Sequence, residues 1–222
     1  MTGRDQGAPK RWYDDACGTA LAMELVGERW SLLIVRELMF GPRRFGELKA
    51  SLNGISANVL TQRLDGLEQA GILARRKLPS PANVQVFELT PWGYESERAM
   101  QELGRWAVRS PAHDRSLPLS AASLMLSART MYAGGMTGTV GFRLGLETFT
   151  ATLTPDAITI RRDDPAGAEV TFEGHQRAIA AVIYGGRPLA EAEADGSIRI
   201  TGNRAMAEDY VTRFPLPPKI AS

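Results

Sequence analysis

Asn58, Thr61 and Gln62 form a polar run whose side chains suit the reading of DNA bases. Asn and Gln can each pair through two hydrogen bonds with adenine, and Thr offers a hydroxyl and a methyl group to a base edge. At 100° per residue, Asn58 and Gln62 fall on one face of a helix and Thr61 lies at its edge. The opposite face carries Leu60 and Leu64, so one side of the helix is core and the other is free to contact DNA.

Basic side chains bracket this polar face, and phosphate groups require cations. The predicted DNA-contacting set is Arg43, Arg44, Lys49, Ser56, Asn58, Thr61, Gln62, Arg63, Arg75, Arg76 and Lys77. Two alternatives stay open from the residues alone. The helix could be an ordinary solvated amphipathic helix, and the cations at 75–77 could be a solvated charge run.

A turn must precede the polar helix to present it. Phe45, Leu48 and Leu52 follow helical spacing, and Asn53-Gly54 then ends that helix. Ser56 is a suitable N-cap for the next helix because its hydroxyl can accept a hydrogen bond from a first-turn amide. The order predicts a helix-turn-helix.

A β-ribbon is predicted to follow. Gly71 closes the helix, Ile72–Leu78 and Val84–Thr90 are runs compatible with strands, and the segment 79–83 between them is rich in turn residues. The two-residue period of a strand places Arg75 and Lys77 on one face, from which they could point toward a phosphate backbone or a minor groove.

Residues 17–93 resemble the HxlR family of bacterial transcription regulators. The motifs that carry the resemblance are GERWSLLI at 27–34, RFGEL at 44–48, GIS at 54–56, LTQRL at 60–64 and ELTPWG at 88–93. The resemblance implies a homodimeric winged helix that binds a near-palindromic operator. The helix from Ser56 would enter the major groove, and the ribbon of residues 75–90 would be the wing.

This chain departs from the family pattern at Phe87, where such regulators usually have Tyr, and at the wing tip. The fold is expected to survive both departures. A repressor is the favoured function, although the residues distinguish neither repression from activation nor one operator sequence from another.

A long helix is predicted from Pro91 to about Arg109, with Thr90 as its N-cap. Its apolar stripe, with the first helix, is a candidate dimer seam, although such a stripe also suits intramolecular packing. The predicted seam residues are Trp12, Tyr13, Leu21, Leu25, Ala99, Leu103 and Trp106.

The fold class is predicted to be α+β, with the winged helix-turn-helix followed by an antiparallel sheet and covering helices. The predicted units are a DNA-binding and dimerisation domain at 1–110, a polar, Pro-containing linker at 111–120 and a second domain at 121–222. Helices are expected at 124–132, 176–184 and 205–214. Strands are expected within 139–161, on either side of a turn at 155–156, at 170–172, and in the turn-strand-turn segment 195–203.

The second half resembles the sterol carrier protein (SCP-type) lipid-binding fold. The resemblance rests on VTFEG at 170–174, YGGRPL at 184–189 and GSIRITGN at 196–203, with Asn203 where that family usually has Asp. It implies an apolar tunnel for a hydrophobic small-molecule effector, held noncovalently, and no other cofactor. The candidate lining residues are Met125, Met131, Met136, Phe142, Phe149, Ile183, Tyr184 and Met206, each of which could equally be plain core.

Composition narrows the remaining function classes. The formal net charge of the 222 residues is only +1, so the DNA hypothesis depends on where the cations lie. Two His and one Cys supply no recognisable metal or catalytic cluster, and we expect a non-enzyme without a metal. No apolar run approaches the ~20 residues of a membrane span, and residues 1–10 lack a signal core, so we expect a cytoplasmic protein.

Cys17 leaves a second hypothesis open. Near a helix start, its thiol could be a redox switch that forms a disulfide with a partner subunit, or it could be a small buried hydrophobe. Three functions therefore remain: a regulator controlled by a hydrophobic effector, a thiol sensor with a structural second domain, and a lipid-binding protein or enzyme with a vestigial DNA module.

Overall fold

The computed structural model describes residues 13–221. Trp12, predicted at the dimer seam, lies outside them. The first half holds helices around one hairpin, in the order α1 Gly18–Val26, α2 Ser31–Leu38, α3 Phe45–Ser51, α4 Ala57–Gln69, β1 Leu73–Lys77, β2 Gln85–Leu89, α5 Pro91–Glu95 and α6 Glu97–Ala107.

The helix-turn-helix is confirmed in α3 and α4. Gly54 has φ +87°, a left-handed conformation that side chains rarely adopt, and it turns the chain between the two helices. Ser56 is the N-cap of α4, and its hydroxyl accepts a hydrogen bond from Val59 N at 3.2 Å. Leu60 and Leu64 are buried as predicted, which directs the opposite face of α4 outward.

The ribbon is an antiparallel hairpin in which Arg75 lies opposite Phe87. Arg43 extends it by one bridge, because its backbone N and O both pair with Phe87 at 2.9 and 2.8 Å. The long helix predicted from Pro91 is two helices, α5 and α6, joined at Ser96. The Ser96 hydroxyl donates to Gly93 O at 2.6 Å and tightens the chain there.

The second half continues with α7 Ala121–Met131, β3 Gly138–Leu144, β4 Glu147–Leu153, β5 Ile158–Arg161, β6 Val170–Gly174, α8 Gln176–Gly185, α9 Leu189–Ala194, β7 Ile198–Gly202 and α10 Arg204–Tyr210. The strands form one sheet in the order β5-β4-β3-β6-β7. Helix α9 has no counterpart among the predicted elements. The mixed α+β character is as expected.

The prediction of a purely antiparallel sheet is wrong at its centre, where β3 and β6 are parallel. Residues 162–169 cross the sheet face between β5 and β6. They lie against β3 at Gly141, where an added Cβ would stand 2.5 Å from Pro165 Cβ. Alternation of apolar residues sets which face of a strand is buried and carries no information about strand direction.

The buried residues of the two halves form one continuous core. We call the region where the two halves meet the junction. Phe40, just after α2, packs edge-on against Phe149 of β4 with ring centroids 5.6 Å apart. Ser120, the N-cap of α7, donates to the buried Glu37 carboxylate at 2.6 Å. The second half is therefore packed against the helix that supports the helix-turn-helix.

The end of the described chain returns to α6. Ile220 N donates to Arg109 O at 2.9 Å, and Lys219 Nζ donates to Ser110 O at 2.7 Å. No helix within residues 13–221 has the length and apolar character needed to cross a bilayer.

Candidate nucleic-acid interface

The outward face of α4 carries the predicted base-reading side chains. Asn58, Thr61 and Gln62 are all exposed, as is Ser56 at the capped start of the helix. None of the three has a side-chain hydrogen bond to another described residue, so their donors and acceptors face solvent. The structure thus gathers these residues on one accessible surface at the N-terminal half of α4.

Three of the predicted phosphate contacts stay unpaired within residues 13–221. Arg44 starts α3, Lys49 lies on α3 and Lys77 ends β1, and their side-chain nitrogens have no ion-pair partner in that part of the chain. Arg44 and Lys77 are exposed, and Lys49 is half-buried. These are the cations most readily offered to a phosphate.

The other predicted cations of the wing and α4 already have carboxylate partners. Arg75 pairs with Asp65 and Glu68 of α4 and lies over the Phe87 ring. Because Arg75 faces α4, the strand period turns Arg76 the other way. The predicted shared face of Arg75 and Lys77 therefore looks onto α4 near its C-terminal end.

Arg76 makes a two-pronged pair with Glu88, both bonds being 2.8 Å, and hydrogen bonding and charge from Glu88 raise the pKa of Arg76. Arg63 binds Glu28 at 2.9 Å and Arg29 O at 3.1 Å. All of these arginines reach solvent, so the pairs are exchangeable, but a phosphate would have to displace a carboxylate.

Arg43 is not exposed, and we remove it from the predicted interface. Only 6% of the residue is accessible. Its guanidinium points into the junction, where Nη1 lies 2.5 Å from Glu147 Oε2 and Nη2 donates to Ser51 at 3.2 Å. The bridge to Phe87 turns it inward, and the partner that holds it there lies 104 positions later in the chain.

Apolar side chains remain exposed on α1 and α6. Trp106 is 73% exposed, Leu103 47% and Leu21 42%. Tyr13 and Ala99 are also exposed, and Leu25 is half-buried. The predicted seam residues within 13–221 thus leave apolar area uncovered in a single chain.

Cys17 is exposed at the N-cap of α1. The backbone and hydroxyl of Thr19, and then the backbone of Ala20, favour the thiolate and lower the pKa of the Cys17 thiol. The alternative of a buried structural cysteine does not fit this exposure.

The predicted ligand-lining residues are packed inside the second half. Phe142 stacks on Phe172, with Tyr210 5.8 Å from it, and the three rings fill the centre. Met125 and Phe149 have no exposure, while Met131, Met136, Ile183 and Met206 are each at most 8% exposed and Tyr184 is half-buried. Their side chains serve as core in this structure.

Sequence reasoning missed the charged residues of the junction. Glu37, Glu147 and Arg162 converge there from α2, β4 and the end of β5. Glu37 gave one usable signal, because it is a lone acid in the apolar run from Leu33 to Phe40 and is fully buried. Nothing local marks the other two.

The HxlR-like helix-turn-helix family matches residues 25–114. The HTH-type transcriptional regulator YodB of Bacillus subtilis (strain 168) is 38% identical over 86 residues, which cover 39% of this chain and 77% of YodB. The chain belongs to the HxlR-like family. Regulators of this family bind DNA and typically act as dimers.

This HxlR-like regulator is also similar to a mycobacterial protein and to a solved structure. The uncharacterized HTH-type transcriptional regulator Mb3122 of Mycobacterium bovis is 42% identical over 96 residues, 43% of this chain and 59% of that protein. The reduced form of the transcriptional regulator YodB from B. subtilis is 34% identical, covering 45% of this chain and 99% of that structure, with a TM-score of 0.41.

Proposed function

We propose that this protein is a dimeric repressor that reads its operator with α4. The supporting observation is the exposed set of Asn58, Thr61 and Gln62 opposite the buried leucines of the same helix. Arg44, Lys49 and Lys77 would hold phosphates on either side of it. The hairpin β1–β2 would be the wing, with Arg63, Arg75 and Arg76 as exchangeable contacts.

Dimerisation would use the exposed apolar residues of α1 and α6. A twofold dimer must place its two recognition helices about 34 Å apart to enter successive major grooves. Covering Trp106 and Leu103 with the same surface of a second chain removes apolar area from water, which favours association. Residues 1–110 would then be the DNA-binding and dimerisation unit.

The second half, residues 121–222 after a linker at 111–120, would be the effector unit. A hydrophobic small molecule bound there would alter DNA affinity through the junction. Because the rings of Phe142, Phe172 and Tyr210 fill the centre of this half, such a ligand would have to displace them. The Tyr210 hydroxyl, which is fully buried without a hydrogen-bond partner within residues 13–221, would then gain one from a polar group of the ligand.

Thiol sensing is the second candidate function. Cys17 is exposed and its pKa is lowered, and both properties favour the reactive thiolate. With one cysteine per chain, oxidation would join two subunits or form a mixed disulfide. The Cys17→Ser variant should then bind DNA normally and lose any response to the oxidant diamide.

DNA binding is tested by selecting duplexes from a random pool with the full-length protein and measuring affinity by fluorescence anisotropy. The double variant Asn58→Ala/Gln62→Ala should bind the selected duplex about tenfold or more weakly, because each bidentate base contact contributes about 1–3 kcal/mol. The control is Gln69→Ala, an exposed amide at the far end of the same helix. Equal affinity of all three proteins would contradict the assignment of α4.

A further inference from the structure

A cleft of about 970 Å³ lies at the junction, between α2–α3 on one side and the β3–β4 hairpin and the start of α8 on the other. Much of its wall is apolar, from Trp30, Leu33, Leu119, Leu144 and Leu146. Leu146, at the hairpin turn, is fully exposed beside the cleft. The cleft is large enough for a small organic molecule.

Arg162 lies in this cleft, and its guanidinium is only partly satisfied. All three of its side-chain nitrogens are buried and none makes a well-aligned hydrogen bond within residues 13–221, although Nη2 forms an ion pair with Glu147 at 3.2 Å. Its Cζ atom lies over the Phe149 ring, 5.2 Å from the ring centroid. Phe149 in turn packs against Phe40, so the aromatic pair across the junction fixes where the arginine lies.

Positive charge is in excess around Arg162. Arg43 Nη1 lies 2.5 Å and Arg162 Nη2 3.2 Å from the same oxygen, Glu147 Oε2. Glu147 is thus an ion-pair partner of both guanidinium groups, and Arg43 Nε also lies 3.4 Å from Glu47 Oε2. Burial, and then the charge of Arg43, lower the pKa of Arg162, with only partial compensation from Glu147 and Glu37. Arg36 and Arg177 also line the cleft, while Glu47 is the other acid there.

We propose that this cleft binds an organic anion, a small molecule with an apolar body and a carboxylate that Arg162 holds. A buried guanidinium whose single carboxylate partner is shared with a second arginine is costly, and its planar fork matches a further carboxylate through two parallel hydrogen bonds. The leucines and Trp30 cover the apolar part of the ligand. A metal cation is excluded as an occupant by the surplus of arginines.

The position of the cleft suits an effector. Its wall includes Ala50 and Ser51 of α3, next to the turn that presents α4, while Arg162 directly follows strand β5 of the second half. A bound anion therefore contacts both halves and favours whichever arrangement holds it better. This regulatory consequence rests on the proposed DNA-binding function, whereas binding of the anion itself does not.

The test is isothermal titration calorimetry of the full chain with octanoate and, as the neutral analogue, octanamide. Octanoate should bind once per chain, and octanamide about tenfold or more weakly, because it offers no charge to Arg162. Arg162→Gln should lower the affinity for octanoate by a similar factor. Arg161→Gln is the matched control, since it removes the same charge from the neighbouring exposed residue and should leave binding unchanged.

A second variant blocks the cleft without altering its charge. Ala50 is exposed on α3, so Ala50→Trp should leave the fold intact. Its indole should occupy part of the cleft and lower the affinity for octanoate. The proposal is overturned if octanoate does not bind, if octanamide binds equally well, or if neither variant changes the affinity. It is also overturned if inorganic phosphate binds as tightly, because the apolar wall would then contribute nothing.

DNA affinity, measured separately with and without octanoate, distinguishes this proposal from the proposed function. If the protein binds octanoate but no DNA duplex, the proposed anion site is supported and the proposed DNA-binding function is contradicted.

Discussion

Replacing Glu147 by Gln removes the carboxylate that Arg43 and Arg162 share, and we expect a clear loss of stability. Breaking a fully buried ion pair costs about 3–5 kcal/mol. The Glu147 side chain is 21% exposed while that of Arg43 is only 7% exposed, and the amide oxygen of Gln keeps one acceptor in place. We therefore expect the free energy of unfolding to fall by about 2 kcal/mol.

The assay is urea unfolding followed by tryptophan fluorescence, since Trp30 lines the same cleft. The midpoint should move to lower urea with an unchanged slope, because the surface exposed on unfolding stays the same. The control is Glu173→Gln. Glu173 pairs with Arg199 at 4.0 Å with both side chains at least half exposed, so its loss should cost no more than about 0.5 kcal/mol.

The affinity for octanoate is a second measurement on Glu147→Gln, and we expect it to rise while the stability falls. With Glu147 neutral, Arg162 loses the carboxylate that competes with the ligand, so Glu147→Gln should bind octanoate more tightly although it is less stable. If Glu147→Gln and Glu173→Gln unfold at the same urea concentration, the shared carboxylate does not stabilise the junction and the reasoning is refuted.

Three other changes test separate parts of the structure. Ser56→Ala removes the cap of α4 and should cost about 1 kcal/mol, a fall in Tm of about 2–4 °C by calorimetry. Glu88→Gln frees Arg76, and should strengthen DNA binding and steepen its salt dependence by about one phosphate contact; unchanged anisotropy titrations would exclude Arg76 from the interface. Because the pKa of Cys17 is lowered, iodoacetamide should alkylate it at lower pH than a free cysteine peptide, and Thr19→Ala should move the pH midpoint upward.

The DNA-facing half was largely predictable because its signals are local. Gly54 marks the turn because its left-handed conformation favours glycine. Ser56 marks the start of α4 because its hydroxyl can cap a helix. The buried face of α4 follows from helical periodicity alone. Once the buried face of α4 is known, the exposure of Asn58 and Gln62 on the opposite face follows from the same periodicity.

The junction was not predictable because its contacts join distant residues. Arg43 reads as a surface cation until Glu147 is brought to it from the second half. The parallel pairing of β3 with β6 depends on a crossing that only the three-dimensional path at Gly141 reveals. The ion pair of Arg75 with Asp65 was missed for a similar reason, since it joins the wing to the neighbouring helix.

The meeting of Ile220 with Arg109 has a consequence for how such a protein could arise and be engineered. The polypeptide enters the second half and comes back at one place, so the whole second half could be gained or lost in a single genetic event without rerouting the helix-turn-helix. A fluorescent protein fused after Ile220 would emerge beside α6. Such a fusion could crowd the exposed Trp106, whereas an attachment at the Gly145-Leu146 hairpin would report on the cleft instead.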